Sequence, residues 1–180
     1  RKYQVDCEDT ILNFITRFPD KHPLAAVPTG AGKTKILGSI AKKYLNRYPD
    51  RSVLVLSHVE SILAQDIEAL MQFFQPNEVS IYSAGLGFKY IEKVTVAGIN
   101  SIYRKPERFA HFDLVIIDEC HTIPTSGQGM YRTLFKTVKA PRIGLTATPF
   151  RTGHGFLHKG EGAMFTDLVY DLSSMQSFNR

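Results

Sequence analysis

Lys33 closes a glycine-rich run, Pro28-Thr29-Gly30-Ala31-Gly32-Lys33-Thr34, and Asp118-Glu119-Cys120-His121 follows directly on the apolar Leu114-Val115-Ile116-Ile117. These residue types at these places suit phosphate and magnesium chemistry. In a turn of the first kind consecutive backbone amides point at phosphate oxygens, so Thr29, Gly30, Ala31 and Gly32 would line the phosphates. A Cβ at either glycine would obstruct that approach. Lys33 would neutralise charge at the β and γ phosphates, and the Thr34 hydroxyl would join the shell of a magnesium ion. Asp118 would hold the same ion through its water shell, leaving Glu119 to orient or deprotonate the attacking water. The expected reaction is nucleotide hydrolysis with Lys33, Asp118 and Glu119 as the catalytic residues, and ATP and Mg2+ as cofactors.

Such groups need rigid strand ends to stand on. Short apolar runs, partly β-branched and bounded by turn residues, occur at 24–27, 53–56, 94–97, 114–117 and 143–145, and read as buried strands. Helical periodicity covers 5–18, 33–48, 61–74 and, more weakly, 128–138. Strands alternating with helices predict an α/β fold, a parallel sheet with helices on both faces. In such sheets ligands collect at the carboxyl ends of the strands, where the glycine-rich turn and the acidic pair both fall. Gly153, Gly155, Gly160 and Gly162 surround His154 and His158, so 152–162 reads as a surface loop rather than a metal site.

With 180 residues, of which 43% are hydrophobic, the chain suits one globular domain. Its two cysteines, Cys7 and Cys120, lack the paired spacing of a zinc site and argue against a disulfide scaffold, which points to a reducing compartment. No apolar run approaches the roughly 18 residues that cross a bilayer, so no membrane partner is expected. The net charge of +5 is compatible with a polyanion partner.

The glycine-rich turn, Asp118-Glu119-Cys120-His121 and Leu145-Thr146-Ala147-Thr148-Pro149-Phe150-Arg151 together resemble, in order and spacing, the first RecA-like domain of a superfamily-two helicase or translocase, a P-loop NTPase fold. The resemblance covers nearly the whole chain. It implies that Arg1-Lys2-Tyr3-Gln4 is similar to the adenine-reading segment, with Arg1 and Gln4 at the base. It further implies that the stretch from Ser57 and His58 onward is similar to motif Ia, and Ala97-Gly98-Ile99-Asn100-Ser101 to motif Ib. Ser57, His58, Gly98 and Ser101 would then touch the sugar-phosphate track, joined by Arg151. Thr146 and Thr148 are similar to motif III, which couples nucleotide state to strand grip, and His121 reads as a coupling group rather than a zinc ligand.

Within the superfamily the chain looks most like RadD-type and phage branch-migration DNA helicases. That likeness implies a role in DNA repair, replication or recombination. It also implies DNA, single-stranded or branched, as partner, with RNA as the alternative, and a location in the cytoplasm of a bacterial or phage-infected cell, associated with the nucleoid. Residues 1–180 are expected to form the ATP-binding domain, with 152–180 leading towards a second RecA-like domain that would carry the arginine finger. Two other readings stay open: an RNA helicase, and a nucleotide-gated binding module that does not unwind. A P-loop kinase would need a phosphoacceptor site and a lid, and neither is visible.

Overall fold

The computed structural model describes residues 1–151 and 155–177. In chain order the elements are α1 (Lys2–Arg17), β1 (Pro23–Ala26), α2 (Lys33–Arg47), β2 (Val53–Ser57), α3 (Glu60–Met71), β3 (Val79–Ser83), β4 (Phe88–Lys89) and β5 (Val94–Gly98). They continue with α4 (Ile99–Ile102), β6 (Leu114–Ile117), α5 (Gln128–Phe135), β7 (Arg142–Thr146), β8 (Phe150–Arg151), β9 (Gly155–Phe156), β10 (Asp167–Asp171) and α6 (Leu172–Ser177). An eight-stranded sheet runs β10-β1-β7-β6-β2-β5-β3-β4, and every pairing in it is parallel except that of β3 with the edge strand β4. Strands β8 and β9 form a separate antiparallel hairpin.

The strands divide their side chains between two cores, as a pleated sheet must. Val53 and Val55 of β2, with Leu114 and Ile116 of β6, face the layer built by α1, α2 and α3. Leu54, Leu56, Val115 and Ile117 face the opposite layer, where α4, α5 and the turn around Phe109 cover them. Helices therefore lie on both faces, as the sequence pattern predicts. Strands buried on both sides read as continuous apolar runs, which is why β2 and β6 are conspicuous in the sequence. Gly38 lets α2 and α3 approach closely, since a Cβ there would come within 2.6 Å of the Phe73 ring.

Three strands of the main sheet depart from the expectation, as do β8 and β9, which pair beside and within the stretch read as a surface loop. β3 was hidden by Ser80 and Ser83, which interrupt its apolar positions; Ser80 Oγ is satisfied inside the sheet, 3.0 Å from Tyr90 O and 3.1 Å from Thr95 Oγ1. β4 is too short to show a period. β10 begins and ends on an aspartate and is only partly buried, as suits an edge strand. The first helix also starts earlier than 5, at Lys2, because the Tyr3 hydroxyl ties its first turn to Ala31 O at 2.7 Å. Among the described residues no helix is long and apolar enough to cross a membrane.

The register sets the carboxyl ends of the central strands level: Ala26 lies beside Thr146, Ile117 beside both Leu56 and Gly144, and Ser57 beside Gly98. Residues leaving these strands thus share one rim.

Candidate nucleotide site

At the end of β1 the Val27 N–H donates to Thr146 O at 2.8 Å, carrying the pairing with β7 one step into the glycine-rich turn. Gly32 has φ of 85°, which L side chains rarely adopt, and a Cβ there would run into Gln4 Nε2. That glycine is required on both counts. It is the N-cap of α2, whose first turn is closed by Ile36 N–H to Gly32 O at 3.1 Å. The free amides and the positive end of this helix dipole therefore face the turn, as an anion site requires. Thr29 and Gly30 are exposed, and Ala31, Gly32 and Thr34 are half-buried.

Asp118 leaves β6 with its N–H still bonded to Leu56 O at 3.0 Å, and its side chain is 3% exposed. The next residue bends sharply. Glu119 has φ of 47° and is the sole non-glycine residue with positive φ among those described. A left-handed conformation in a residue with a Cβ costs on the order of 1 kcal/mol, and such strain concentrates at functional sites. Here it directs consecutive carboxylates to one lysine. Lys33 Nζ lies 3.4 Å from Asp118 Oδ1 and is ion-paired with Glu119 Oε1, while Asp118 Oδ1 accepts the Glu119 N–H at 2.8 Å.

A second set of contacts runs from Glu119 to β7. His121 Nδ1 lies 3.2 Å from Glu119 Oε2 and 2.8 Å from Thr146 Oγ1. The Thr146 hydroxyl donates to Thr148 O at 2.6 Å and accepts the Thr148 N–H at 3.1 Å. With its one proton directed at Thr148 O, Thr146 can only accept from His121, so His121 Nδ1 carries a hydrogen. The acidic pair and the Thr146–Thr148 turn are mechanically one unit. On the other side of the turn, Gln4 Nε2 donates to Ala31 O at 3.2 Å and the Arg1 guanidinium donates to Tyr3 Oη at 3.1 Å. The segment expected to read a base is thus docked on the glycine-rich turn.

The donor set fits magnesium in kind. Thr34 hydroxyl and Asp118 carboxylate are hard oxygen donors, and the carboxylates around Lys33 outnumber the cations. Among the described residues no three His, Cys, Asp or Glu side chains converge on one metal position. Magnesium that keeps waters and takes phosphate oxygens needs no such cage.

Residues 1–151 match the family model described as type III restriction enzyme, res subunit. The chain belongs to that family. It is 30% identical over 135 residues to DNA 3'-5' translocase XPB2 of Sulfurisphaera tokodaii, covering 73% of this chain and 28% of that protein. It is equally 30% identical over 135 residues to the uncharacterized ATP-dependent helicase YqhH of Bacillus subtilis, covering 71% of this chain and 23% of that one. The fold superimposes on the UvsW helicase from bacteriophage T4 with a TM-score of 0.67 at 18% identity, over 94% of this chain and 59% of that one. The chain spans less than a third of the length of the curated relatives it matches. Its fold is that of a first RecA-like helicase domain, in agreement with the sequence motifs.

Of the residues expected on the nucleic-acid track, Ser57, His58, Gly98 and Ser101 gather at the ends of β2 and β5, beside the nucleotide site. Their side chains are less open than the motifs suggest. Ser57 is fully buried and its Oγ accepts the Val59 N–H at 3.3 Å, so it shapes the turn into α3. His58 is half-buried with its ring close to Gly127. Gly98 offers backbone alone, and Ser101 Oγ accepts the Ala84 N–H at 2.9 Å. The backbone of Arg151 pairs with Gly155 in the β8–β9 hairpin, and its side chain, like all of 152–154, lies outside the described residues.

The sequence reading overlooked two residues at the site. Tyr3 holds the Ala31 carbonyl through its hydroxyl. Asp66 of α3 is fully buried, and burial first, then the charge of Asp118, raise its carboxyl above the usual carboxylate range. Its signal was present: it shares the helix face of Leu63 and Leu70, where an acid has no place unless it has a partner.

Proposed function

We propose that this domain is the ATP-binding half of a DNA helicase or translocase. The observation that carries the reading is the convergence of Lys33 from the β1–α2 turn with Asp118 and Glu119 from the end of β6, linked through His121 to Thr146 at the end of β7. The two carboxylates hold the Lys33 ammonium, and the γ phosphate of ATP would compete for it and release Glu119 to a water. Magnesium, when bound, would neutralise charge on the β and γ oxygens, with Thr34 and Asp118 as the residues to hold it. Glu119 would orient and deprotonate the attacking water. A change at Glu119 reaches Thr148 through His121 and Thr146, which offers a route from nucleotide state to the neighbouring track. Gln4 and Arg1 would meet the base.

Phosphoryl transfer also needs charge stabilisation on the far side of the γ phosphate, so we assign an arginine finger to a second RecA-like domain of the same protein. A DNA partner is supported by the similarity to a DNA 3'-5' translocase, and the track residues would meet backbone rather than bases. The likeness to phage branch-migration and RadD-type helicases supports a role in repair or recombination, and with it we propose a place in the cytoplasm near the nucleoid. The test is the full-length protein's steady-state ATPase rate with single-stranded DNA, forked DNA and RNA in parallel. Stimulation by DNA above RNA is expected; stimulation by RNA alone, or none by either, would sink the reading.

A further inference from the structure

The Ala31 carbonyl, in the middle of the glycine-rich turn, accepts from two side chains of α1. The Tyr3 hydroxyl donates to it at 2.7 Å and Gln4 Nε2 at 3.2 Å. Tyr3 is itself fixed at three points. Its ring packs against the core on the α1 and α2 face of the sheet, its backbone carbonyl accepts the Tyr170 hydroxyl at 3.0 Å, and its own hydroxyl accepts from the Arg1 guanidinium at 3.1 Å. A phenol has one proton to give, and here that proton is directed at Ala31 O. Donation from a cation to the same hydroxyl polarises it and strengthens the bond.

The Ala31 carbonyl and the Gly32 N–H belong to one peptide plane, and across a trans peptide they point in opposite directions. Two donors that hold the carbonyl towards α1 therefore hold the Gly32 N–H away from it. That amide meets no backbone acceptor among the described residues, whereas the Ala31 N–H is spent within the turn on Pro28 O at 3.1 Å. The plane needs such a hold because of the residue that follows it. Gly32, with φ of 85°, has no Cβ to resist rotation and is at ease on both sides of the φ map, so an unrestrained plane could turn over. Turned over, it would present a carbonyl oxygen where an anion site needs a donor.

We propose that Tyr3 is a positioning residue whose hydroxyl sets the direction of the Gly32 amide, and so prepares the glycine-rich turn to hold phosphate whatever base the nucleotide carries. The inference rests on the nucleotide-site reading above, in which the turn takes the phosphates. It separates two neighbours in the sequence. Gln4 shares the Ala31 carbonyl but is assigned to the base, whereas Tyr3 acts on the phosphates through the turn alone. The signature of Tyr3 is therefore a loss of affinity that does not depend on the base.

The experiment measures, on the full-length protein, the binding of non-hydrolysable ATP and GTP analogues and of inorganic tripolyphosphate, which has phosphates and no base, alongside thermal unfolding. Tyr3→Phe removes the hydroxyl and keeps the ring that packs on the core, so the variant should retain a single cooperative melt. It should bind all three probes more weakly by one common factor of about three- to tenfold, the size of one hydrogen bond, with the preference for ATP over GTP unchanged. Gln4→Ala is the comparison: it should weaken the ATP analogue more than tripolyphosphate and lower the preference for ATP. Wild-type affinity of Tyr3→Phe for the probes overturns the proposal, as does a loss confined to the ATP analogue, which would assign the hydroxyl to the base. Failure of Tyr3→Phe to fold overturns it as well, since the hydroxyl would then be structural. A wild-type protein that binds none of the three probes would instead overturn the nucleotide-site reading, and the role of Tyr3 with it.

Discussion

The two halves of the rim formed by the sheet's carboxyl ends are built differently. At the ends of β1, β6 and β7, charged and hydroxyl side chains touch in sequence: Lys33, Asp118, Glu119, His121, Thr146 and the Thr148 backbone. At the ends of β2 and β5 the hydroxyls of Ser57 and Ser101 are engaged by the protein's own backbone, and no Lys or Arg falls within 57–60 or 98–101. The first half acts through a few point charges at fixed distances. The second presents turns and backbone, so its hold on a polyanion is distributed and individually weak. Single substitutions should therefore be severe in one half and mild in the other.

The largest effect is expected at Lys33. In the full-length protein Lys33→Ala should lower hydrolysis on the order of a thousandfold or more, since it removes the cation aimed at the transferring phosphate. It also leaves Asp118 and Glu119 without their counter-ion. Near-wild-type turnover in a folded variant would break the contrast. Glu119→Gln comes next: kcat should fall about 10²- to 10⁴-fold while nucleotide affinity is kept, because shape is preserved and the base is lost. Equal losses of affinity in Glu119→Gln and Lys33→Ala would mean that the two roles are misassigned.

Thr146→Val tests the link between the halves. The variant should bind nucleotide normally yet lose most of the DNA stimulation of its ATPase, and unpairing His121 and Thr148 should cost about 1–3 kcal/mol in thermal unfolding. Unchanged stimulation would show that the Thr146 hydroxyl carries no signal. Within the track, Ser101→Ala should change DNA affinity less than about threefold and leave its salt dependence as it was, since a lone hydroxyl neutralises no phosphate. A tenfold loss would restore Ser101 to a direct contact.

The amino ends of the strands give the smallest effect and a control. His22 Nδ1 accepts the Arg142 N–H at 3.1 Å. Burial, then the Arg142 charge, lower its pKa to about 4, with Asp20 opposing. The folded state thus disfavours the proton relative to the unfolded chain, so His22 contributes stability fully above its unfolded pKa and loses it as pH falls towards 4. Acid melting curves of His22→Gln should be flatter than wild type across that window. An unchanged slope would place the titration elsewhere.

This contrast also explains what the sequence discloses. Lys33, Asp118 and Glu119 are legible because charged residues next to glycines or directly after a buried strand have few structural reasons to be there. The four central strands are legible because both their faces are apolar. Ser57 was misleading for a geometric reason: a residue ending a strand can face solvent or the core, and the turn decides which. β10 was invisible because an edge strand carries polar residues and pairs with a partner far away in sequence. Asp66 was overlooked because a single acid in a helical apolar stripe reads as a flaw until the opposing side chain is known.

The placement of β1 bears on how the chain assembles during synthesis. Its two neighbours are β7 and β10, so Pro23–Ala26 stays unpaired until residues 142–146 and then 167–171 have been made. Closing such distant pairings is slow, because chain entropy must be overcome before the contacts repay it. Tyr170 then seals the joint, its hydroxyl reaching Tyr3 O at 3.0 Å. The glycine-rich turn therefore gains its scaffold among the last parts of the domain. A ribosome-bound chain lacking β7 and β10 has no ordered cradle for nucleotide, and ATP cannot rescue a partly made domain; it can reward only a finished one.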